Sequence, residues 1–237
     1  MPNPKKLVEL LNVRTVENAD YIRLGRDHDG GYVLLDDFRK SDYVVSLGIF
    51  DDVSFDRAIS LSVLGVDCYD NSIDVLPEDV PNSRFFKETI SNLSFDSYDV
   101  FTDERKHYTN MEKILSRVPE DSDLIAKIDI EEAEWLLFET TTIDQFAKFR
   151  QMVIEFHCVD VDPPLDIFEK INKTHQVINV HPNNNSGCFN IDGIMVPAVI
   201  EVTYARKSDY VFSDRPSPAH DLNMINNPMR PDILEFF

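Results

Sequence analysis

The chain has 237 residues, 43 of them Asp or Glu against 23 Lys or Arg, for a formal charge of −20 at pH 7. That length suits one large α/β domain with a sizeable core, and that charge repels phosphate backbones and anionic membrane surfaces, which argues against nucleic acid as a partner. Cys68, Cys158 and Cys188 are odd in number without CxxC spacing, and no apolar run, at the amino terminus or elsewhere, approaches a leader or the roughly 20 residues of a membrane span; the expectation is a reduced, cytoplasmic protein without membrane insertion.

Lys5 to Asn12 reads as a short amphipathic helix behind Pro4, and Thr15 to Leu24 as a second, giving a helical lead-in. In HDGGYVLLDD, Asp29, Gly30 and Gly31 form a tight turn and Tyr32 to Leu35 continue as a strand. That turn suits a hairpin at the domain edge and a ligand-facing loop equally. Tyr43 to Leu47 is short, apolar and β-branched, as a strand buried on both faces of a parallel sheet is. Gly48 ends it, and Asp51, Asp52 and Ser54 offer caps to a helix whose apolar face is Phe55, Ile59 and Val63. In an open parallel sheet this strand end is where a nucleotide-like ligand sits. A dinucleotide fingerprint carries three glycines, and here Phe50 stands where a second is expected.

Gly65 to Tyr69 is the next strand and ends in Asp70, 22 residues after Gly48. At that spacing in a βαβ unit an acidic side chain accepts hydrogen bonds from ribose hydroxyls. Phe85 to Ile90 reads as a third strand, Ser91 to Arg105 as an irregular surface segment, and Met111 to Val118 as a helix capped by Asn110. Leu124 to Ile128 is a strand that stops at Asp129, a position facing the ligand crevice of such a sheet. A helix follows at once, with Glu131, Glu132 and Glu134 complementing its dipole. Gln151 to Phe156 delivers His157 to the same edge, either as a general base near neutral pH or as a satisfied structural residue. Pro163 and Pro164 open the helix Leu165 to Ile171, and His175 to Val180 is the next strand. His181, Asn183, Asn184 and Asn185 then form a polar loop suited to a sugar or to a plain turn. Asp192-Gly193 turns a hairpin that Ala198 to Tyr204 completes, and the proline-rich end reads as an extended tail over the surface. The expected organisation is a lead-in with the DGGY hairpin (1–40), an α/β core (41–212) and the tail (213–237).

The series GIFDDVSFD, DCYDNS, KIDIEEAEW, VIEFH, HPNN and VIEVTYARK, with DGGYV before it and NNPMRPDI after it, resembles the FkbM-like and related class I S-adenosylmethionine-dependent methyltransferases over most of the chain. The most specific piece is KIDIEEAEW, Lys127 to Trp135, similar to the family's K-I-D-[IV]-E-G-A-E with Glu132 in place of the glycine; Phe50 replaces another. The resemblance implies a Rossmann-like sheet of seven strands, the last antiparallel, with helices on both faces. It implies S-adenosylmethionine as cofactor. Ser46, Leu47, Gly48 and Ile49 would let the backbone approach its methionine part, Asp70 with Asn71 would bind the ribose, Ser91 and Asn92 would lie beside the adenine, and Asp129 near the sulfonium.

Methyl transfer from a sulfonium needs a positioned acceptor and, for a hydroxyl, removal of a proton. His157 is the favoured base, ahead of His181, Asp129 and Glu131. No metal site is assigned, but Mg²⁺ held by Asp129, Glu131 and His157 or His181 stays open. Relatives of this kind methylate hydroxyls on sugars of capsular and other surface polysaccharides or on natural products, so the expected partner is a carbohydrate or small polar acceptor; homo-oligomerisation is open. Two rivals are a non-catalytic binding module on the same fold and a NAD(P)-dependent oxidoreductase.

Overall fold

The short apolar runs become the middle of one sheet. In the computed structural model, which describes residues 3–99 and 104–237, seven strands form it: β1 (Tyr43–Leu47), β2 (Gly65–Tyr69), β3 (Ser83–Phe86), β4 (Leu124–Ile128), β5 (Phe149–Phe156), β6 (His175–Pro182) and β7 (Ile200–Arg206). Every residue of β1, β2, β4 and β5 is buried, because both faces of the sheet are covered. The order is β6-β7-β5-β4-β1-β2-β3. All neighbours run parallel except β7, which is antiparallel to both β5 and β6. This is the Rossmann-like sheet of the class I methyltransferase fold.

Helices α1 (Pro4–Leu10), α3 (Met111–Leu115), α4 (Ala133–Thr140), α5 (Ile143–Phe146) and α6 (Leu165–Ile171) cover one face, where Leu7, Ile114, Phe138, Phe146 and Phe168 meet the side chains of Val45, Ile128 and Ile154. The other face carries α2 (Ser54–Ser60) and an antiparallel hairpin, Tyr21–Gly25 with Gly31–Leu35. Phe55, Ile59, Tyr32 and Leu34 pack there on Val44, Val66 and Val153. The chain departs in opposite directions from β1 and β4, so the switch point of the sheet lies between their carboxyl ends.

Several local expectations change. Thr15 to Leu24 is not a helix: Thr15–Val16 pairs with Phe212–Ser213, and Tyr21–Gly25 is a hairpin strand. Asn18, at positive φ, turns the chain between them, and long-range pairing outweighs local periodicity. The third strand is split, because Thr89–Ile90 leaves the main sheet to join Phe95–Asp99 and Glu104–Thr109 in a small sheet where irregular chain was expected; residues 100–103 of that segment lie outside the described ones. Cys188–Ile191 pairs with Ile194–Pro197 across the Asp192-Gly193 turn, whereas the following strand, β7, inserts between β5 and β6. The final segment is an integral part of the packing and includes a 3-10 turn, Pro218–Leu222.

The lead-in is fixed to the amino end of β5 by a buried cation. Arg150 is fully buried; its Nη2 donates to Asp42 Oδ2 (2.5 Å), and its Nη1 donates to Asp37 Oδ1 (2.6 Å) and Tyr210 Oη (2.5 Å). Asp42 is itself fully buried. Removing one partner of such a pair leaves the other charge uncompensated. Arg150→Met should therefore cost about 3 to 5 kcal/mol in urea unfolding, and a loss below about 1 kcal/mol would contradict this role.

Candidate active site

At the switch point the carboxyl ends of β1, β2 and β4 open into a cleft of about 580 Å³, within the range of small-molecule sites. Its floor is fixed by one close approach. Gly48 has φ +82°, and a Cβ there would lie 1.6 Å from the Asp129 carbonyl oxygen. No other residue fits. Lys127 donates from Nζ to the Gly48 carbonyl, lies 3.7 Å from Asp129 Oδ2, and sits over the Tyr32 ring. Tyr32 in turn donates its hydroxyl to Asp129 Oδ2 (2.8 Å).

Asp70 stands at the end of β2, at the edge of the cleft. One of its oxygens accepts from the backbone N–H groups of Ile49 and Phe50, both at 2.8 Å, and the other from the N–H and hydroxyl of Ser72, both at 2.6 Å. Burial alone would raise its pKa; these hydrogen bonds outweigh it and hold the carboxyl below its ordinary range. Asn71 lines the cleft beside it and donates to Thr89. Ser46 and Leu47 are fully buried, so their side chains stay in the sheet while Gly48 and Ile49 face the cleft. Ser91 and Asn92 do not line it. Glu88, Thr89 and Ile90 line it instead, and Asn92 donates to Glu139.

The cleft is anionic. Eight carboxylates line it, including Asp52, Asp56, Asp70, Asp129 and Glu131, against two cations, Arg26 and Lys127. Asp56 is almost fully buried, and burial raises its pKa despite the nearby Lys127.

Helix α4 starts at Ala133, two residues later than the acidic run suggested. Glu131 (φ 52°) and Glu132 (φ 74°) precede it in the left-handed region, so their expected role in its first turn does not apply. Phe50 (φ 48°) is left-handed too, so both Phe50 and Glu132 hold a backbone conformation that suits glycine. Phe50 is 68% exposed at the cleft mouth. Glycine at 132 should be more stable than alanine by about 1 kcal/mol, the reverse of the helix-interior order; equal melting of Glu132→Gly and Glu132→Ala would contradict the left-handed geometry.

Behind Asp129 lies a buried polar cluster assembled from five segments. Glu155 on β5 and Glu201 on β7 are directly paired across the strands, both buried. Asn183 Nδ2 donates to Glu155 Oε1 (3.0 Å) and Asp29 Oδ1 (3.3 Å), and Asn226 Nδ2 donates to Glu201 Oε1 (2.7 Å) and Asp29 Oδ1 (3.2 Å). The asparagine loop, the DGG turn and the final segment thus close on the two glutamates. His181 Nε2 faces the Met224 carbonyl (2.9 Å) and Asn226 Oδ1 (3.1 Å), and burial lowers its pKa. It binds the final segment in place and does not reach the cleft lining.

His157 is nine-tenths buried at the end of β5. Glu134 Oε1 accepts from its backbone N–H (2.7 Å) and lies 2.9 Å from Nδ1. Its Nε2 lies 3.4 Å from Glu131 Oε2 and 3.6 Å from Glu155 Oε1. Burial alone would lower its pKa, but Glu134 chiefly reverses this and raises it. Of the sequence-derived candidates, Asp129, Glu131 and His157 converge, and His181 stands apart. Glu134, Glu155 and Glu201 were missed. For Glu155 and Glu201 the signal was present: a carboxylate inside an otherwise apolar strand, as in QMVIEF and AVIEVTY, is rarely buried without purpose.

Burial raises the Glu201 carboxyl to about 8, Asp29 and Asp129 adding to this and Asn226 and Arg23 opposing it. Folding therefore keeps a proton that the unfolded chain releases near pH 4.3, and this group's contribution to stability falls as pH rises from about 4.3 to about 8. Glu201→Gln should be more stable than the parent at pH 8, with the gain shrinking towards pH 5. A pH-independent difference in urea midpoints would contradict this.

No protein-family model and no curated protein matches the chain. Among solved structures it resembles a candidate methyltransferase from Streptococcus mutans in complex with SAH, at 10% identity and TM-score 0.40 over 71% of this chain and 88% of that one. An rRNA methylase from Streptococcus thermophilus gives 8% identity and TM-score 0.39 over 71% and 89% of the two chains. A dimethyladenosine transferase from Plasmodium falciparum gives 11% and 0.38 over 88% and 63%. Likeness at this level adds nothing about chemistry to the topology already described. No helix among the described residues is long and apolar enough to cross a membrane.

Proposed function

We propose that the protein is an S-adenosylmethionine-dependent methyltransferase of FkbM-like type that methylates a hydroxyl on a sugar or another small polar acceptor. The observation that carries this reading is the sign of the cleft: a switch-point site of eight carboxylates and two cations, with an ionised Asp70 at the tip of β2. Adenosine-type ligands call for a carboxylate at that strand tip. A sulfonium and an ammonium are favoured by the surrounding acids, whereas the pyrophosphate of a nicotinamide dinucleotide is repelled. The residues fit the cofactor in kind. Asp70 would receive the ribose hydroxyls where it now receives Ser72, Gly48 and Ile49 would border the methionine part, and Thr89 and Ile90 the adenine.

When bound, the sulfonium would supply an already activated methyl group. The chain's task is then to orient the acceptor and remove its proton. Asp129 borders both the cleft and the buried polar cluster, and His157 lies behind it; these are the groups at hand for that proton. The amide-rich loop Asn183 to Asn185 is hydrogen-bonded to Asn227 of the final segment and does not line the cleft. The formal charge of −20 argues against RNA or DNA as the acceptor.

Calorimetric titration with S-adenosylhomocysteine and, separately, NAD⁺ tests the reading. Micromolar binding of the first and none of the second is expected. Asp70→Ala should weaken binding about 10- to 150-fold, corresponding to about 1.5 to 3 kcal/mol for hydrogen bonds to a charged group. No binding of S-adenosylhomocysteine at millimolar concentration would shift the reading to a non-catalytic module with Phe50 and Glu132 marking a degenerate site.

A further inference from the structure

Ligand-type atoms of Asp129, Glu155 and His157 all lie within 4.8 Å of one another. Each is held by a separate neighbour outside the group: the Tyr32 hydroxyl donates to Asp129 Oδ2, Asn183 Nδ2 donates to Glu155 Oε1, and Glu134 Oε1 faces His157 Nδ1. That arrangement fixes the imidazole with its other nitrogen towards the two carboxylates, the way outer hydrogen bonds orient metal ligands.

An independent observation concerns that nitrogen. The His157 side chain is nine-tenths buried; among the described residues its Nε2 makes no hydrogen bond and lies at ion-pair distance from Glu131 (3.4 Å) and Glu155 (3.6 Å). The ring nitrogen not taken up by a hydrogen bond is thus directed at a buried carboxylate, Glu155, whose side chain is 93% buried.

We infer that Asp129, Glu155 and His157 bind a first-row divalent transition-metal ion of the Mn²⁺, Fe²⁺ or Zn²⁺ class. A mixed imidazole and carboxylate set suits these ions better than Mg²⁺, which prefers oxygen ligands and retains its waters. Glu131, 88% exposed, and His181, turned to the final segment, are outside the set, so its composition differs from the magnesium set that the sequence left open. Asp129 faces the cleft, and an ion there would lower the pKa of a bound acceptor hydroxyl; this use, though not the binding site itself, rests on the methyltransferase reading. His157 is then a ligand and not the base.

The test is calorimetric titration of the full chain with Mn²⁺ in about 0.15 M salt, which screens the acidic exterior to a Debye length of about 8 Å. One saturable Mn²⁺ per chain is expected, with Mg²⁺ weaker. Glu155→Gln and His157→Gln should weaken Mn²⁺ at least about 10-fold, the lower limit for loss of even an outer-sphere partner. They should leave S-adenosylhomocysteine affinity unchanged, and Glu120→Gln on the exterior should change neither. Absence of saturable binding, or variants that bind Mn²⁺ like the parent, would overturn the site. Mn²⁺ bound without S-adenosylhomocysteine would uphold the site and remove the cofactor reading; the reverse result would remove the site alone. Should either variant fail to fold, the parent still decides: substoichiometric Mn²⁺ must broaden the His157 imidazole resonances, and sharp ones would overturn the inference.

Discussion

The meeting of β1 and β4 at Gly48 and Asp129 is the constraint on which the rest depends. Their backbones approach so closely that no side chain fits at Gly48. Lys127 spans the same gap, donating to the Gly48 carbonyl while lying near Asp129. Because the sheet reverses direction between these two strands, the contact sets both the depth of the cleft and the place where its acids converge. Tyr32, reaching in from the hairpin, ties the covering layer to the same point.

Around that point the protein concentrates groups that burial disfavours. Glu155 and Glu201 are adjacent on neighbouring strands, a like-charged pair that destabilises a sheet unless it is neutralised. Asparagines supply hydrogen bonds but no charge, so amides from the 183–185 loop and from the final segment satisfy oxygens, while the proton that Glu201 keeps relieves the repulsion. Stability is given up here and recovered elsewhere, as in the aromatic packing of Trp135, Phe138, Phe156 and Phe168 beside α4 and α6. Functional sites are where such clusters of perturbed acids concentrate.

The overall and local charges act at different ranges. The net charge of −20 governs which macromolecules approach and is screened within a Debye length. The eight cleft carboxylates act at contact distance, where they would favour a cationic ligand over a pyrophosphate. Phe50 extends from the rim of that site into solvent, and its N–H is part of the support for Asp70.

The sequence by itself determined the sheet's inner strands and their ends. Apolar β-branched runs closed by Gly48, Asp70 and Asp129 have one physical solution, a strand buried on both faces with a polar tip, and Leu124–Ile128 and Leu165–Ile171 were legible to the residue. It also placed Asp70, Asp129 and His157 at one edge, since parallel strands deliver their carboxyl ends to the same side. Only the tertiary structure decided the remainder. Thr15 to Leu24 became strands because their partners, Phe212–Ser213 and Gly31–Leu35, supply hydrogen bonds that local periodicity cannot foresee. The left-handed backbone at Phe50 and Glu132 follows from the geometry of strand ends and not from their own preferences. Most of all, Asp29, Glu155, Asn183, Glu201 and Asn226 are scattered over nearly 200 residues and meet only because β7 inserts antiparallel between β5 and β6 and the final segment folds back over them. Spacing along a chain encodes periodic neighbours; the burial of charges on facing strands is set by which strands pair.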